Sequence, residues 1–203
     1  MTAATRTSAT RVLSTKGRAT RLAIEDAARK LFAERGFHGT TLADITSAAG
    51  KSPAAFYRYF TDKEDLLAAL ANSFLDEVRD DRSQPPADAD YFVAVVSAYW
   101  TTFKPNIGIM IGVDQLAATE PRFALLQNRF RRVGIDVVSA SVRKAQQQGY
   151  AAELDVDHIA LAIALLFERF TSVSLAEGLS DEAAVTALST IWKKTLYGNP
   201  KEN

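Results

Sequence analysis

Within eight consecutive positions the chain sets out Lys51, Ser52, Pro53, Ala54, Ala55, Tyr57 and Arg58. Arg58 carries a planar, two-pronged guanidinium that fits either a phosphate or the O6/N7 edge of guanine. The hydroxyl of Tyr57 can donate to a phosphate while its ring lies on sugar. Lys51 adds an ammonium, and Ala54 and Ala55 offer the small apolar contact that a thymine methyl accepts. Thr41 and Lys63 each stand where a helix is predicted to start, and unpaired N–H groups there attract phosphate oxygens. The chemistry available to this set is recognition of a nucleic-acid duplex, not bond making or breaking.

The flanking residues position that set. Thr41 with Asp44 three residues on reads as a capping box in its shorter-carboxylate form and opens a helix over 42–49. Ile45, Ala48 and Ala49 give that helix an apolar face with little bulk. Gly50 supplies the positive φ of a sharp turn, and Ser52 caps a second helix with Pro53 in its first position. Phe56 and Phe60, four apart, point inward, and Tyr59 reads as a core ring with its hydroxyl at the surface. Two short helices hinged at a glycine form a helix-turn-helix, whose second helix is of a size to enter a major groove. A preceding helix over 18–35 is marked by Ile24, Ala28, Leu31 and Phe32 and stopped by Gly36. A second capping box, Thr61 to Glu64, predicts a helix reaching about Asp81, roughly 30 Å long.

Bulk composition narrows the alternatives. A chain of 203 residues that is 47% hydrophobic can bury a sizeable core. Its net charge is zero, yet residues 1–70 hold 11 basic and 7 acidic groups while 71–203 hold 13 and 17. A positive front end suits a module that meets phosphates. The absence of cysteine removes disulfides and thiolate metal sites. No His-Glu-x-x-His spacing, glycine-rich phosphate loop or Gly-x-Ser-x-Gly elbow is present, so no enzyme, catalytic residue, metal or cofactor is expected. The N-terminus lacks the apolar run of a secretory signal, and Ile159 to Phe167 is about half the length of a bilayer span. A cytoplasmic location is expected.

Beyond the Pro85-Pro86 break, helices are predicted over 89–103, 106–119, 121–148, 155–178 and 181–197. The fold class is all-α with about nine helices. The expected organisation is a flexible basic arm over 1–17, a DNA-binding domain over 18–64, and a ligand-binding and dimerisation domain over 65–203. Phe92, Trp100, Phe103, Ile107, Met110, Ile111, Phe130 and Phe167 are the candidate walls of an apolar ligand pocket between helices. Asp114 and Gln115, in an otherwise apolar helix, are the candidates for orienting a polar end of that ligand. Gly108 and Gly112 are expected to soften that helix by about 1 kcal/mol each.

The stretch from residue 18 to 70 resembles the tetracycline-repressor (TetR) family of bacterial transcription regulators. The resemblance is carried by Phe32 to Gly36-Phe37, Thr40-Thr41, Ile45 to Ser52, Tyr57 to Phe60, and Lys63. Lys51, Ala54 and Ala55 depart from the family's usual apolar residue, glycine and threonine, which bears on operator sequence. The resemblance implies a homodimer on a roughly palindromic operator, with the last two helices of each chain forming the interface. The apolar stripes of those helices agree, and Ile163, Phe170, Leu188, Ile191 and Trp192 are the interface candidates. It further implies a repressor released by a small, mostly apolar effector through a shift in conformational population. A helical carrier of apolar or acyl ligands would share the body but have no use for the helix-turn-helix.

Overall fold

The computed structural model describes residues 14–80 and 90–198. Among these, nine α-helices and one 3-10 turn account for the regular structure, and no strand is present. The helices are α1 (Thr15–Arg35), α2 (Leu42–Ala48), α3 (Pro53–Phe56), α4 (Lys63–Asp80), α5 (Tyr91–Phe103), α6 (Ile107–Ala117), α7 (Pro121–Gln147), α8 (Val156–Ala176) and α9 (Asp181–Tyr197). Most of the expected arm, residues 1–13, lies outside the described residues, as does the Pro85-Pro86 break.

Side-chain caps set many of the helix starts. Ser14 accepts from Gly17 N–H and begins α1 three residues earlier than the apolar periodicity indicates. Thr41 and Asp44 form the reciprocal capping box of α2, and Ser52 accepts from Ala55 N–H to start α3 with Pro53 in its first turn. The cap of α4 is shifted by one residue from the expected Thr61–Glu64 pair. Asp62 Oδ1 accepts Asp65 N–H at 2.6 Å, and Asp65 Oδ2 accepts Thr61 N–H at 3.0 Å. Asp62 and Asp65 thus supply the two acceptors at the start of α4 that Thr61 and Glu64 were expected to supply. Asp90, Asp155 and Ser180 cap α5, α8 and α9 in the same manner.

Two clusters of buried side chains hold the helices together. The first joins Ile24, Phe32, Phe37, Ile45, Phe56 and Phe60 to Leu66, Leu70 and Phe74 of α4, Ile109 and Val113 of α6, and Phe123 and Phe130 of α7. The buried core of α1–α3 therefore continues without a gap into α4, α6 and the first half of α7. The second cluster joins Phe92, Val96 and Trp100 of α5 to Val138 and Val142 of α7, Ile163 and Phe167 of α8, and Leu188, Trp192 and Leu196 of α9. An aromatic chain bridges the two. Phe130 meets Phe74, Phe74 meets Phe103, and Phe103 stacks on Tyr99 at 4.3 Å. Tyr99 then meets Phe167 edge-on, and Phe167 meets Trp192.

Gly108 and Gly112 have a different use from the one expected. A Cβ on Gly108 would lie 2.4 Å from the carbonyl of Phe32, and one on Gly112 would lie 3.1 Å from Leu67. These glycines allow α6 to approach α1 and α4 closely, and the lost propensity is offset by that packing.

Candidate nucleic-acid interface and effector body

The α2–α3 turn is built around Gly50, whose φ of 62° only a residue without a Cβ adopts readily. Gly50 N–H donates to Ser47 O and Lys51 N–H to Thr46 O, which closes the end of α2. The turn leaves Ser52, Pro53, Ala54, Tyr57 and Arg58 exposed on one side, with Lys51 half-buried at their edge. Tyr57 is 60% exposed, its ring edge-on to buried Phe56. The Arg58 guanidinium lies over the Tyr59 ring at 5.8 Å, and Tyr59 packs against the first core as expected.

Two members of the expected reading surface are placed differently. Ala55 is buried, because it shares the inward side of α3 with Phe56 and packs beneath the exposed face. Lys63 is committed within the protein: its ammonium donates to Phe37 O and Thr40 O, both at 2.8 Å, and sits 4.2 Å from the centre of the Phe37 ring. Lys63 thus ties the α1–α2 connection to the start of α4, with one N–H remaining. Thr41 is exposed, but its hydroxyl donates to Asp44 Oδ2 at 2.6 Å. That bond, with the Thr41 backbone N–H, holds the Asp44 carboxyl below the usual carboxylate range. Thr40 is fully buried, its hydroxyl donating to Gly36 O.

The expected effector walls divide between the two cores. Phe92, Trp100 and Phe167 belong to the second, while Phe103, Met110 and Phe130 pack in or against the first. Ile107 and Ile111 are half-buried. Asp114 and Gln115 are not oriented toward an interior ligand. Both are exposed, and Asp114 accepts a hydrogen bond from Gln127 of α7 at the surface. The helical period that buries Val113 and Leu116 turns these two residues outward. The polar groups of the body that sequence reasoning missed are Tyr99, Thr171 and Arg131; Glu168 was expected to form an ion pair with its neighbour Arg169, and its partner here is Arg131. Tyr99 and Thr171 share a hydroxyl–hydroxyl hydrogen bond of 3.0 Å, and burial pushes the Tyr99 hydroxyl up to about 12. Arg131 holds Glu168 through Nε and Nη2, both at 3.1 Å.

The last two helices need a similar correction. Ile163, Leu188 and Trp192 are buried in the chain's own core, and Trp192 donates from Nε1 to Ser141 at 3.1 Å. Phe170 is half-buried and Ile191 exposed. The apolar groups that face outward are Leu161, Leu165 and Val173 of α8, with Ile191 of α9, each 40–43% exposed. By length and composition α8 is apolar enough to cross a membrane, with a mean hydropathy of 1.7, yet only 28% of that window is buried within the chain. Glu168 and Arg169 interrupt it.

The model for bacterial regulatory proteins of the tetR family matches residues 24–70, the segment that contains this turn and its supporting core. Over this segment the chain is similar to the DNA-binding part of tetR-family regulators. It is 32% identical over 95 residues to the HTH-type transcriptional repressor ComR of Escherichia coli, a match covering 42% of this chain and 45% of that protein. Against the HTH-type transcriptional repressor KstR2 of Mycobacterium tuberculosis it is 29% identical over 142 residues, covering 64% and 68%. A solved transcriptional regulator from Saccharomonospora viridis in complex with choline shares the fold, with a TM-score of 0.72, 19% identity, and coverage of 88% and 98%. TetR-family proteins are regulators, and among the described residues no three His, Asp or Glu side chains group as a metal site.

Proposed function

We propose that this chain is a ligand-responsive transcriptional regulator, a repressor, that binds a roughly palindromic operator as a homodimer in the cytoplasm. The observation that carries the reading is the exposed surface from Lys51 to Arg58. It projects from a turn whose inward residues, Ala55, Phe56 and Phe60, anchor it to the core. Ser52, Pro53, Ala54, Tyr57 and Arg58 would enter the groove, Lys51 and Thr41 would flank it, and Lys63 would act mainly by positioning. The apolar strip of α8, with Ile191, would meet its copy across a two-fold axis. Two reading surfaces related in this way would meet half-sites centred one helical turn, roughly 34–36 Å, apart.

The effector reading is supported by the body. The aromatic chain from Phe130 to Trp192 runs between the α1–α4 core and the outward faces of α8 and α9. A small apolar ligand that separated these rings would press on α4 through Phe74 and, through α7, on α6, and both helices contact α1. The S. viridis protein, solved with choline, is a body of this fold that holds a small molecule. A tenfold loss of operator affinity requires about 1.4 kcal/mol of coupling.

The test is DNA affinity as a function of salt. Binding by this surface falls steeply as salt rises, in proportion to the phosphates contacted. A helical carrier of acyl ligands would show negligible DNA affinity at any salt, and that result would replace the regulator reading with the carrier.

A further inference from the structure

At one end of the bundle the start of α5, the end of α7 and the end of α9 leave an open recess of about 330 Å³ between them. Its size lies at the lower end of the range for small-molecule sites, which suits a molecule with a single ring. Rings form much of its wall. Tyr91 stands edge-on to Phe92 at 5.4 Å, Phe92 meets Tyr197 at 5.9 Å, and Trp192 lies behind Tyr91 and Phe92. Ser141 lines the recess while its hydroxyl donates to Val138 O and accepts from Trp192, so it has no need of a ligand. Of the residues expected to line an effector pocket, Phe92 is shared with this recess.

Charge decides what the recess would accept. Its charged lining residues are Asp90, Lys144 and Lys193. Lys193 Nζ pairs with Asp90 Oδ2 at 2.5 Å, so those two charges cancel. Lys144 has no carboxylate within ion-pair distance among the described residues, and its ammonium lies 5.7 Å from the centre of the Tyr91 ring. Among the described residues, one ammonium beside an aromatic wall is thus left without a carboxylate partner.

We infer that this recess is a binding site for a small molecule carrying one aromatic ring and one carboxylate. The ring lies among Tyr91, Phe92 and Tyr197, edge-to-face, and the carboxylate meets the Lys144 ammonium. The site adjoins the end of the interior aromatic chain at Trp192, and its existence does not rest on the DNA-binding reading.

The experiment measures binding of phenylacetate and of its neutral counterpart phenylacetamide to the full chain without DNA, by calorimetry or ligand-observed NMR. Phenylacetate should bind with a Kd of about 1 mM or tighter, and the amide about fivefold more weakly. Lys144→Gln should weaken the acid by about the same factor and leave the amide unchanged. Asp90→Asn keeps an α5 cap of equal quality but releases Lys193, so it should tighten binding of the acid. That gain cannot arise from a misfolded variant. Absence of binding to the wild-type chain, equal affinity for acid and amide, or an unchanged acid affinity in both variants would overturn the assignment. Each of these outcomes leaves operator binding as a separate measurement.

Discussion

Gly108 of α6 lies against the backbone of Phe32 near the end of α1, so close that a methyl group added there would sit 2.4 Å from the Phe32 carbonyl. The helix that follows the body's first turn therefore rests directly on the helix that supports the reading surface. Gly108→Ala should push α6 away from α1, because a backbone carbonyl cannot rotate aside as a side chain can. A cost of about 1–3 kcal/mol is expected, lowering Tm by roughly 2–4 °C for each kcal/mol. Gly112→Ala meets Leu67 Cδ2 at 3.1 Å and Phe37 Cβ at 3.2 Å, tight contacts but not the overlap with backbone that Gly108→Ala makes, so its cost should be smaller. Thermal unfolding of the two variants checks the order, and a Gly108→Ala protein as stable as Gly112→Ala would contradict it.

Lys63 and Tyr57 separate positioning from contact. Lys63→Met removes both bonds to Phe37 O and Thr40 O and should destabilise the chain by about 1–3 kcal/mol. Tyr57→Ala, at a ring already 60% exposed, should leave stability within about 0.5 kcal/mol of the parent while weakening DNA binding to all sequences. Denaturant unfolding and DNA titration on both variants distinguish the roles. The reverse pattern would assign Lys63 to the interface and Tyr57 to the core.

How far these roles could be read from sequence depends on the range of the interaction. The caps of Thr41, Ser52 and Ser180 are local, each satisfied within three residues, and they follow from residue order alone. The start of α4 was ambiguous because Thr61-Glu64 and Asp62-Asp65 share one spacing, and only backbone geometry selects the second pair. Lys63 could not be read because its acceptors lie 26 and 23 residues away. The facing of α8 and α9 was hidden for another reason. A helix apolar on most sides gives no polar stripe to mark the exterior, so Ile163, Leu188 and Trp192 were not separable from Leu161 and Leu165. Ala55 was misplaced because a four-residue helix is too short to show a period.

Arg58 is the one reading-surface group equipped for bidentate contact with guanine. Arg58→Ala should reduce operator affinity by about 1–3 kcal/mol and broaden base preference at one position of each half-site. Competition between operator variants measures the second effect. A uniform loss across all variants would place Arg58 on a phosphate instead.

The outward strip of α8 carries the dimer proposal. Leu165→Glu should shift the chain to monomer, and Ile191→Glu should do so to a similar extent, since both bring charge to the exposed strip proposed as the interface. Leu125→Glu on α7, at an even more exposed leucine, should leave the assembly intact. Sedimentation or light scattering at matched concentration reads the mass directly. A dimer that survives both substitutions would place the interface elsewhere.

Tyr99 gives the body an alkaline signature. Its folded-state pKa of about 12 lies above the usual 10, so the neutral form is favoured in the folded protein. Below pH 10 that contribution is present in full, and it falls as pH rises toward 12 because the unfolded chain ionises first. Stability should therefore decline over this window in the wild-type chain and decline less in Tyr99→Phe. Identical pH profiles for the two proteins would show that the hydroxyl is not shielded as its surroundings imply.

The central claim is that two copies of the Lys51–Arg58 surface read one duplex together. Selection of bound sequences from random DNA by the purified protein tests it in a single experiment. The account predicts recovery of an inverted repeat whose half-sites are centred about one helical turn apart. Recovery of a single unrepeated element, or of no enriched sequence at all, would contradict it.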